Sequence, residues 1–226
     1  REVAVRYSDS FGKRPDILQF ESDIQELARQ GATSFHISVE RWKNPLDLKP
    51  GLTRRQLDEL RSGFDIILDV DSRFIDCSKI TAQLIAAALK FNGIKNIPVK
   101  FSGGSGFHIL IPFESFPEEV NGTETRLLFP EVPKAIIEYI KGLIQPHLKT
   151  QILEVTNLED ISKATSIPKE KLREKNHFNP FKLVEIDSQL ISSRHVIRSP
   201  LSVNEKTGLV SLPINIDKIS KFNPNQ

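Results

Sequence analysis

Two adjacent segments set the tightest limit on what this chain can fold into. Residues 64–70 (FDIILDV) read as a buried strand, and 78–91 (SKITAQLIAAALKF) carry apolar side chains at helical spacing. A strand of that kind needs partners in a sheet, and the helix after it needs a face of that sheet to cover. Strand signals recur at 2–7 (EVAVRY), 33–39 (TSFHISV), 97–102 (IPVKFS) and 107–112 (FHILIP), and again at 183–187 (LVEID), 194–200 (RHVIRSP) and 208–214 (GLVSLPI). Helical spacing recurs at 16–29 and 132–148, and the loop NPLDLKPG at 44–51 gives way to a helix start at Thr53. The fold class expected is α/β or α+β, a sheet with covering helices.

With 38% apolar and 27% charged residues the chain is globular and not disordered. Its 226 residues suit one domain, 1–226, in which the polar, Lys-rich stretch 150–182 reads as a small peripheral helical insert. A lone Cys77 excludes an internal disulfide and thiolate zinc sites, so nothing demands an oxidising compartment. No apolar run approaches the roughly 20 residues that span a bilayer, and REVAVRY is not a signal peptide. The expected setting is therefore intracellular, without a membrane partner. The absence of Met suggests a trimmed chain or a piece of a longer one. Thirty-one basic against twenty-nine acidic residues leave +2, so any nucleic-acid-binding patch has to be local.

The first chemical signal is Asp69-Val70-Asp71 at the end of the apolar strand. Alternation places Asp69 and Asp71 on one face, led into by Ile67. Two carboxylates about 7 Å apart on one strand repel unless a divalent cation lies between them, and Mg²⁺ or Mn²⁺ favours such oxygen ligands. The alternative is a strand that simply ends in solvent. Asp187 closes a second apolar strand (LVEID) and is a candidate third ligand, with Glu185 on the same face as its rival.

Between two further strands lies KFSGGSGFHI, residues 100–109. The apolar pattern favours an odd hairpin loop of 103–107, with Phe101 opposite Ile109 and Val99 opposite Ile111. Lys100, Ser102 and His108 then share the other face, with Ser102 directly across from His108. A Ser, a His and free amides around a glycine turn suit phosphate. A glycine-rich hairpin with a satisfied His explains the pattern equally. The nucleophile elbow G-x-S-x-G and the Walker loop are both absent. Downstream, a regular strand at 194–198 puts Arg194, Val196 and Arg198 on one side and His195 and Ile197 on the other. The turn NEKTG follows, carrying Asn204, Lys206 and Gly208. Arg198 and Lys206 offer bidentate and mobile cationic phosphate contacts, against the alternative of solvated edge residues.

In order along the chain, REVAV, GFDIILDVDS, KFSGGSGFHILIPFESFP and VEIDSQLISSRHVIRSPLSVNEKTGLVSLPI resemble the motifs of the catalytic small subunit of archaeal and eukaryotic DNA primases. The resemblance implies a primase-type catalytic core around a mixed β-sheet, and template-directed nucleotidyl transfer that synthesises or extends short primers. It implies Asp69, Asp71 and Asp187 as catalytic metal ligands for two Mg²⁺ or Mn²⁺ ions. Ser102, His108 and Arg198 would hold the incoming NTP or dNTP with His195 beside them, and Glu2 and Arg1 would border the site. Its partners would be a single-stranded DNA template, a primer and a primase large subunit or a fused equivalent, in the cytoplasm of an archaeon or the nucleus of a eukaryote. Three departures stand out. Gly104 and Ser105 replace the arginines of the eukaryotic hairpin, so triphosphate binding leans on Arg198, Lys100 and backbone amides. Asn204 stands where His is frequent. The chain runs from DVDSRFIDCSK straight into a helix, without the zinc module that many members insert. The rivals are the polymerase domain of bacterial end-joining ligases, against which the Lys-Thr-Gly turn and the REVAV start weigh, and a non-catalytic accessory subunit, against which the intact acids weigh.

Overall fold

The computed structural model describes residues 1–187 and 191–224. Residues 188–190, inside the VEIDSQLISSR segment, lie outside the described residues, as do 225 and 226. In chain order the elements are β1 (Val3–Tyr7), β2 (Ser10–Phe11), α1 (Glu21–Arg29), β3 (Ser34–Ser38), β4 (Glu40–Trp42), α2 (Arg54–Leu60), β5 (Arg61–Phe64), β6 (Ile66–Ser72) and α3 (Ile75–Phe91). They continue with β7 (Val99–Phe101), β8 (Gly106–Ile111), a short hairpin of β9 (Glu119–Val120) and β10 (Thr123–Glu124), α4 (Glu131–Val155) and α5 (Leu158–Thr165). A second short hairpin, β11 (Arg173–Glu174) and β12 (His177–Phe178), precedes β13 (Val184–Asp187), β14 (Val196–Arg198) and β15 (Pro213–Ile214).

Two sheets carry the architecture. One has the order β13-β6-β8-β7-β15 and the other β14-β3-β1-β2. The expected class, a sheet core with covering helices, holds. In place of one mixed sheet, however, there are two sheets whose recorded pairings are all antiparallel.

Strand alternation separates core from site in the five-stranded sheet. Ile66, Leu68 and Val70 on β6, Phe107, Ile109 and Ile111 on β8, and Val184 and Ile186 on β13 are buried. They face α3, which contributes Ile85 and Leu89 and packs against α4. Each such side chain contributes about 1.5–3 kcal/mol by leaving water. The opposite face carries Asp69, Asp71, His108, Lys100 and Asp187. Thr53 caps α2 as expected, accepting from the Gln56 amide at 3.4 Å while the Gln56 side chain accepts from the Thr53 amide at 2.9 Å. In the stretch 150–182, Ile152, Ile161, Leu172 and Phe178 join the hydrophobic core.

The hairpin register differs from the expectation. Lys100 faces His108 and Phe101 faces Phe107, leaving a turn of 103–105 between Ser102 and Gly106. The shift is two residues, so every side chain keeps its face. It is favoured because Phe101 and Phe107 then meet edge-on with centroids 6.0 Å apart, and because Gly103, at φ +82, lets the chain reverse in fewer residues.

Buried charge fastens the elements together. Arg61, fully enclosed, donates to Glu40 from Nε at 2.9 Å and Nη2 at 2.7 Å, and also pairs with Asp58. Removing one member strands the other without water. Arg61→Leu should therefore lose about 3–5 kcal/mol, read as a lower urea midpoint, unless Glu40→Leu is made with it.

Candidate active site

Cross-strand pairing assembles the acids. Asp187 lies opposite Asp69, Asp69 opposite His108, and His108 opposite Lys100, so four titratable residues form one row across β13, β6, β8 and β7. Glu185, Asp71 and Gly106 form the next row. Residues directly opposite in an antiparallel pair share a face. Asp187 and Glu185 thus both stand beside the Asp69–Asp71 pair, which no linear reading could decide.

The two central acids are not alike. Asp71 is pushed above the usual carboxylate range by burial and by the neighbouring Asp69 charge, against which the Ser105 hydroxyl donates to its Oδ1 at 3.0 Å. Asp69 Oδ1 is buried and accepts no hydrogen bond among the described residues, although His108 Nε2 sits 3.2 Å away. His108 Nδ1 is likewise buried without a partner among the described residues. An orphaned carboxylate oxygen beside a second carboxylate fits a hard divalent cation, which would satisfy the oxygen and offset the repulsion. Among the described residues no three His, Cys, Asp or Glu side chains are gathered closely enough to cage an ion unaided.

A cavity of about 580 Å³ opens over these acids, lined from both sheets. Of the residues singled out in the sequence, Asp69, Asp71, Ser102, His108, Arg198, Asn204 and Lys206 line it. Arg198 is held in place from one edge. Its Nε donates to the Val203 carbonyl at 3.0 Å and its Nη2 to Glu205 at 2.9 Å. The turn 204–208 is fixed locally, with Asn204 Oδ1 accepting from the Lys206 amide at 3.1 Å and Gly208 at φ +73. It is clamped to the glycine hairpin where Thr207 Oγ1 donates to the Gly103 carbonyl at 2.5 Å. Asn204 is thus a turn former here.

The other basic candidates and the N-terminal pair do not line this cavity. Lys100 is buried, donates to Ser211 Oγ at 2.7 Å, and lines a smaller apolar cavity of about 170 Å³ beside the first. Burial brings its pKa down to about 8 despite the opposing pull of Asp69. Arg1 lines that smaller cavity too, donating to the Ser38 carbonyl at 2.7 Å and pairing with Asp65. Glu2 is fully buried, accepting from Arg14 at 2.9 Å and Arg194 at 2.8 Å. Arg194 takes φ +62, so the regular strand expected at 194–198 begins only at Val196, and Arg194 is drawn to Glu2 instead of sharing a face with Arg198. His195 is not among the residues lining either cavity. It nevertheless feels the Asp187 and Asp69 charges, and its pKa is lowered, chiefly by burial, against the pull of those two carboxylates. Of the amides around the glycine turn, that of Gly104 donates to Ser102 Oγ at 3.1 Å.

Two residues of the site escaped the sequence reading. His36 lines the large cavity, lies opposite Arg198 and meets the Phe11 ring edge-on at 5.0 Å. Burial first, and then the Arg198 charge, bring its pKa down to about 4, so it is neutral at pH 7. Alternation within TSFHISV was the only signal for it. Glu205 is the counter-charge of Arg198 and also accepts from the Ser34 hydroxyl. Burial raises its pKa, but Ser34, its own backbone amide and Arg198 together hold it down to about 2. Its folded pKa lies below the ordinary value of 4.5. Its contribution is therefore present above that value and lost as pH falls through about 2. Glu205→Ala should cost roughly 1.5–3 kcal/mol in urea unfolding at pH 7, and the difference from the parent should vanish near pH 2.

The family profile described as DNA primase small subunit matches residues 56–216. The DNA primase small subunit PriS of Pyrobaculum calidifontis is 25% identical over 181 residues, covering 70% of this chain and 54% of its own. That of Hyperthermus butylicus is 23% identical over 169 residues, covering 56% of this chain and 42% of its own. The chain thus spans about half the length of the curated relatives it matches. Among solved structures, a polymerase domain of Mycobacterium tuberculosis Ligase D in complex with DNA shares the fold. Its TM-score is 0.54 at 16% identity, covering 100% of this chain and 66% of that one. No described helix is long and apolar enough to cross a membrane.

Proposed function

This chain belongs to the DNA primase small subunit family, and from that premise we propose that it is a metal-dependent nucleotidyl transferase that extends a primer on a DNA template. One observation carries the reading. A single cavity brings Asp69 and Asp71 together with Ser102, His108, Arg198 and Lys206, so that acids suited to a cation face groups suited to phosphate. Asp69, Asp71 and Asp187 would hold Mg²⁺ or Mn²⁺, with Glu185 the alternative to Asp187. Bound there, the cation supplies Lewis-acid charge that makes a 3′-hydroxyl easier to deprotonate and neutralises phosphate oxygens.

The chain's own residues bind and orient. Arg198, steadied by Glu205 and the Val203 carbonyl, presents its remaining N–H groups to the β- and γ-phosphates, and Lys206 adds a mobile charge. The 3′-oxygen forms a bond to the α-phosphorus as the bond to the bridging oxygen breaks. Its proton passes to water and pyrophosphate departs. Template, primer and NTP or dNTP are the substrates proposed, and a primase large subunit the partner.

Primer extension with Mn²⁺ on a primed DNA template tests the reading. Nucleotide addition is the expected result, and none under any divalent cation would overturn it. A preference for gaps with a 5′-phosphate would move the assignment to end-joining polymerases. Arg198→Ala should raise the KM for nucleotide by roughly 10-fold or more, the loss of a charge-assisted contact worth about 1.5–3 kcal/mol, and His108→Ala should do so more mildly. Equal effects from Lys13→Ala would point to general electrostatics and not to a site.

A further inference from the structure

We propose that the apolar cavity between the two sheets is a binding site for a small uncharged molecule of about benzene's size, whose occupation tightens the hold of the neighbouring phosphate cavity on nucleotide. The site stands on the cavity itself, and only its effect on nucleotide rests on the nucleotidyl-transfer reading above. Ile37 and Ile197 line the cavity from the β14-β3 side, and Ile67 and Leu110 from the β6-β8 side. Its volume is about 170 Å³. An apolar cavity of about 150 Å³ is already large enough to take up benzene. The exposed members of its wall include Pro98, Pro200 and Pro213, which give it a stiff mouth open to solvent.

The polar groups of the wall are already engaged. Arg1 pairs with Asp65, which also takes Arg41 at 2.6 Å and accepts from the Phe113 amide at 3.0 Å. Ser38 Oγ donates to the Glu40 carbonyl at 2.7 Å. Lys100 Nζ donates at 2.7 Å to Ser211, which is not part of the wall. Of the buried side-chain polar atoms of the lining residues, His108 Nδ1 alone lacks a partner among the described residues. A settled water needs two to four polar partners, and a buried ion needs a counter-charge, so this hollow suits an uncharged apolar body. Left empty, its wall atoms forgo dispersion contacts that such a body restores. His108 and Ile197 line this cavity and the phosphate cavity alike. A molecule lodged against His108 on this side takes up the room into which the ring could turn, and so keeps it in place for phosphate.

The test follows fluorobenzene by fluorine NMR line broadening and benzene by the thermal midpoint. A Kd of about 1 mM or tighter is expected, with a midpoint rise of about 3 °C at roughly 10-fold Kd. Benzoate, the same ring carrying a charge, should give neither signal. Leu110→Phe fills the hollow and should abolish the broadening, whereas Leu110→Ala enlarges it and should admit naphthalene, which the parent excludes. If Leu110→Phe does not fold, naphthalene binding by Leu110→Ala and not by the parent decides the matter. No broadening in the parent, undiminished broadening in a folded Leu110→Phe protein, or benzoate binding as tight as that of benzene overturns the site as proposed. With Mn²⁺ present, a fluorescent nucleoside triphosphate should bind about 2- to 5-fold more tightly when benzene saturates the cavity, and benzene should gain the same factor from the nucleotide. An unchanged nucleotide affinity overturns the coupling. If benzene bound and the triphosphate bound under no divalent cation, the nucleotidyl-transfer reading would fall and the cavity site stand. If the triphosphate bound and fluorobenzene did not, the site would fall and that reading stand.

Discussion

Asp69→Ala is expected to lower nucleotide addition by about 10³-fold or more, measured as primer extension under saturating Mn²⁺ and nucleotide, while leaving the fold intact. The two effects have one origin. Asp69 projects from β6 on the face turned from the core, beside Asp71 and opposite Asp187, and among the described residues its buried Oδ1 accepts no hydrogen bond. Its removal takes away no packing, and it relieves the repulsion that helps raise Asp71. The thermal midpoint should therefore stay the same or rise slightly. Asp71→Ala should behave alike. Asp187→Ala set against Glu185→Ala identifies the third acid, since the two flank the pair in successive rows. Full activity in Asp69→Ala or Asp71→Ala would remove the metal reading.

Gly106→Ala is expected to be the most damaging change of a single methyl group. A Cβ there would lie 1.7 Å from the Val70 carbonyl oxygen and 2.7 Å from Asp71 Oδ1. The first is backbone within the central β6–β8 ladder and cannot swing aside, so the strands must part where Asp71 is held. Overpacking of a core costs about 1–3 kcal/mol, and a forced strand separation belongs at or beyond the upper end. The urea midpoint should fall accordingly, and extension should drop even at temperatures where the variant stays folded, because Asp71 loses its place. Gly104→Ala is the matched control, where the nearest atoms to a new Cβ are side-chain atoms at 3.4 Å. Equal stability of the two variants would contradict the close approach.

Much of this was legible in the linear chain, where the physics is local. Alternation in ILDVD put Asp69 and Asp71 on one face because a strand has period two, whatever it pairs with. Thr53 announced a helix start because capping involves only neighbours. The α4 helix runs on past its expected end to Val155 although Pro146 lies inside it. Ile144, Leu148 and Ile152 continue the apolar stripe into the core, and their burial outweighs the roughly 3 kcal/mol that an interior proline costs.

What tertiary structure alone decided was register and partnership. The hairpin's faces followed from parity, but its two-residue slip depended on Phe107 finding Phe101. Which acid stands opposite Asp69 depended on how β13 docks more than a hundred residues downstream. The burial of Glu2 between Arg14 and Arg194, and the contact of Glu205 with the Ser34 hydroxyl, join residues on separate segments of the chain. His36 enters the site only because β3 pairs with β14 and sets it opposite Arg198. Periodicity within a strand can say which way a side chain points. What that side chain meets is decided by long-range pairing, where shape and charge from distant segments compete for the same contact.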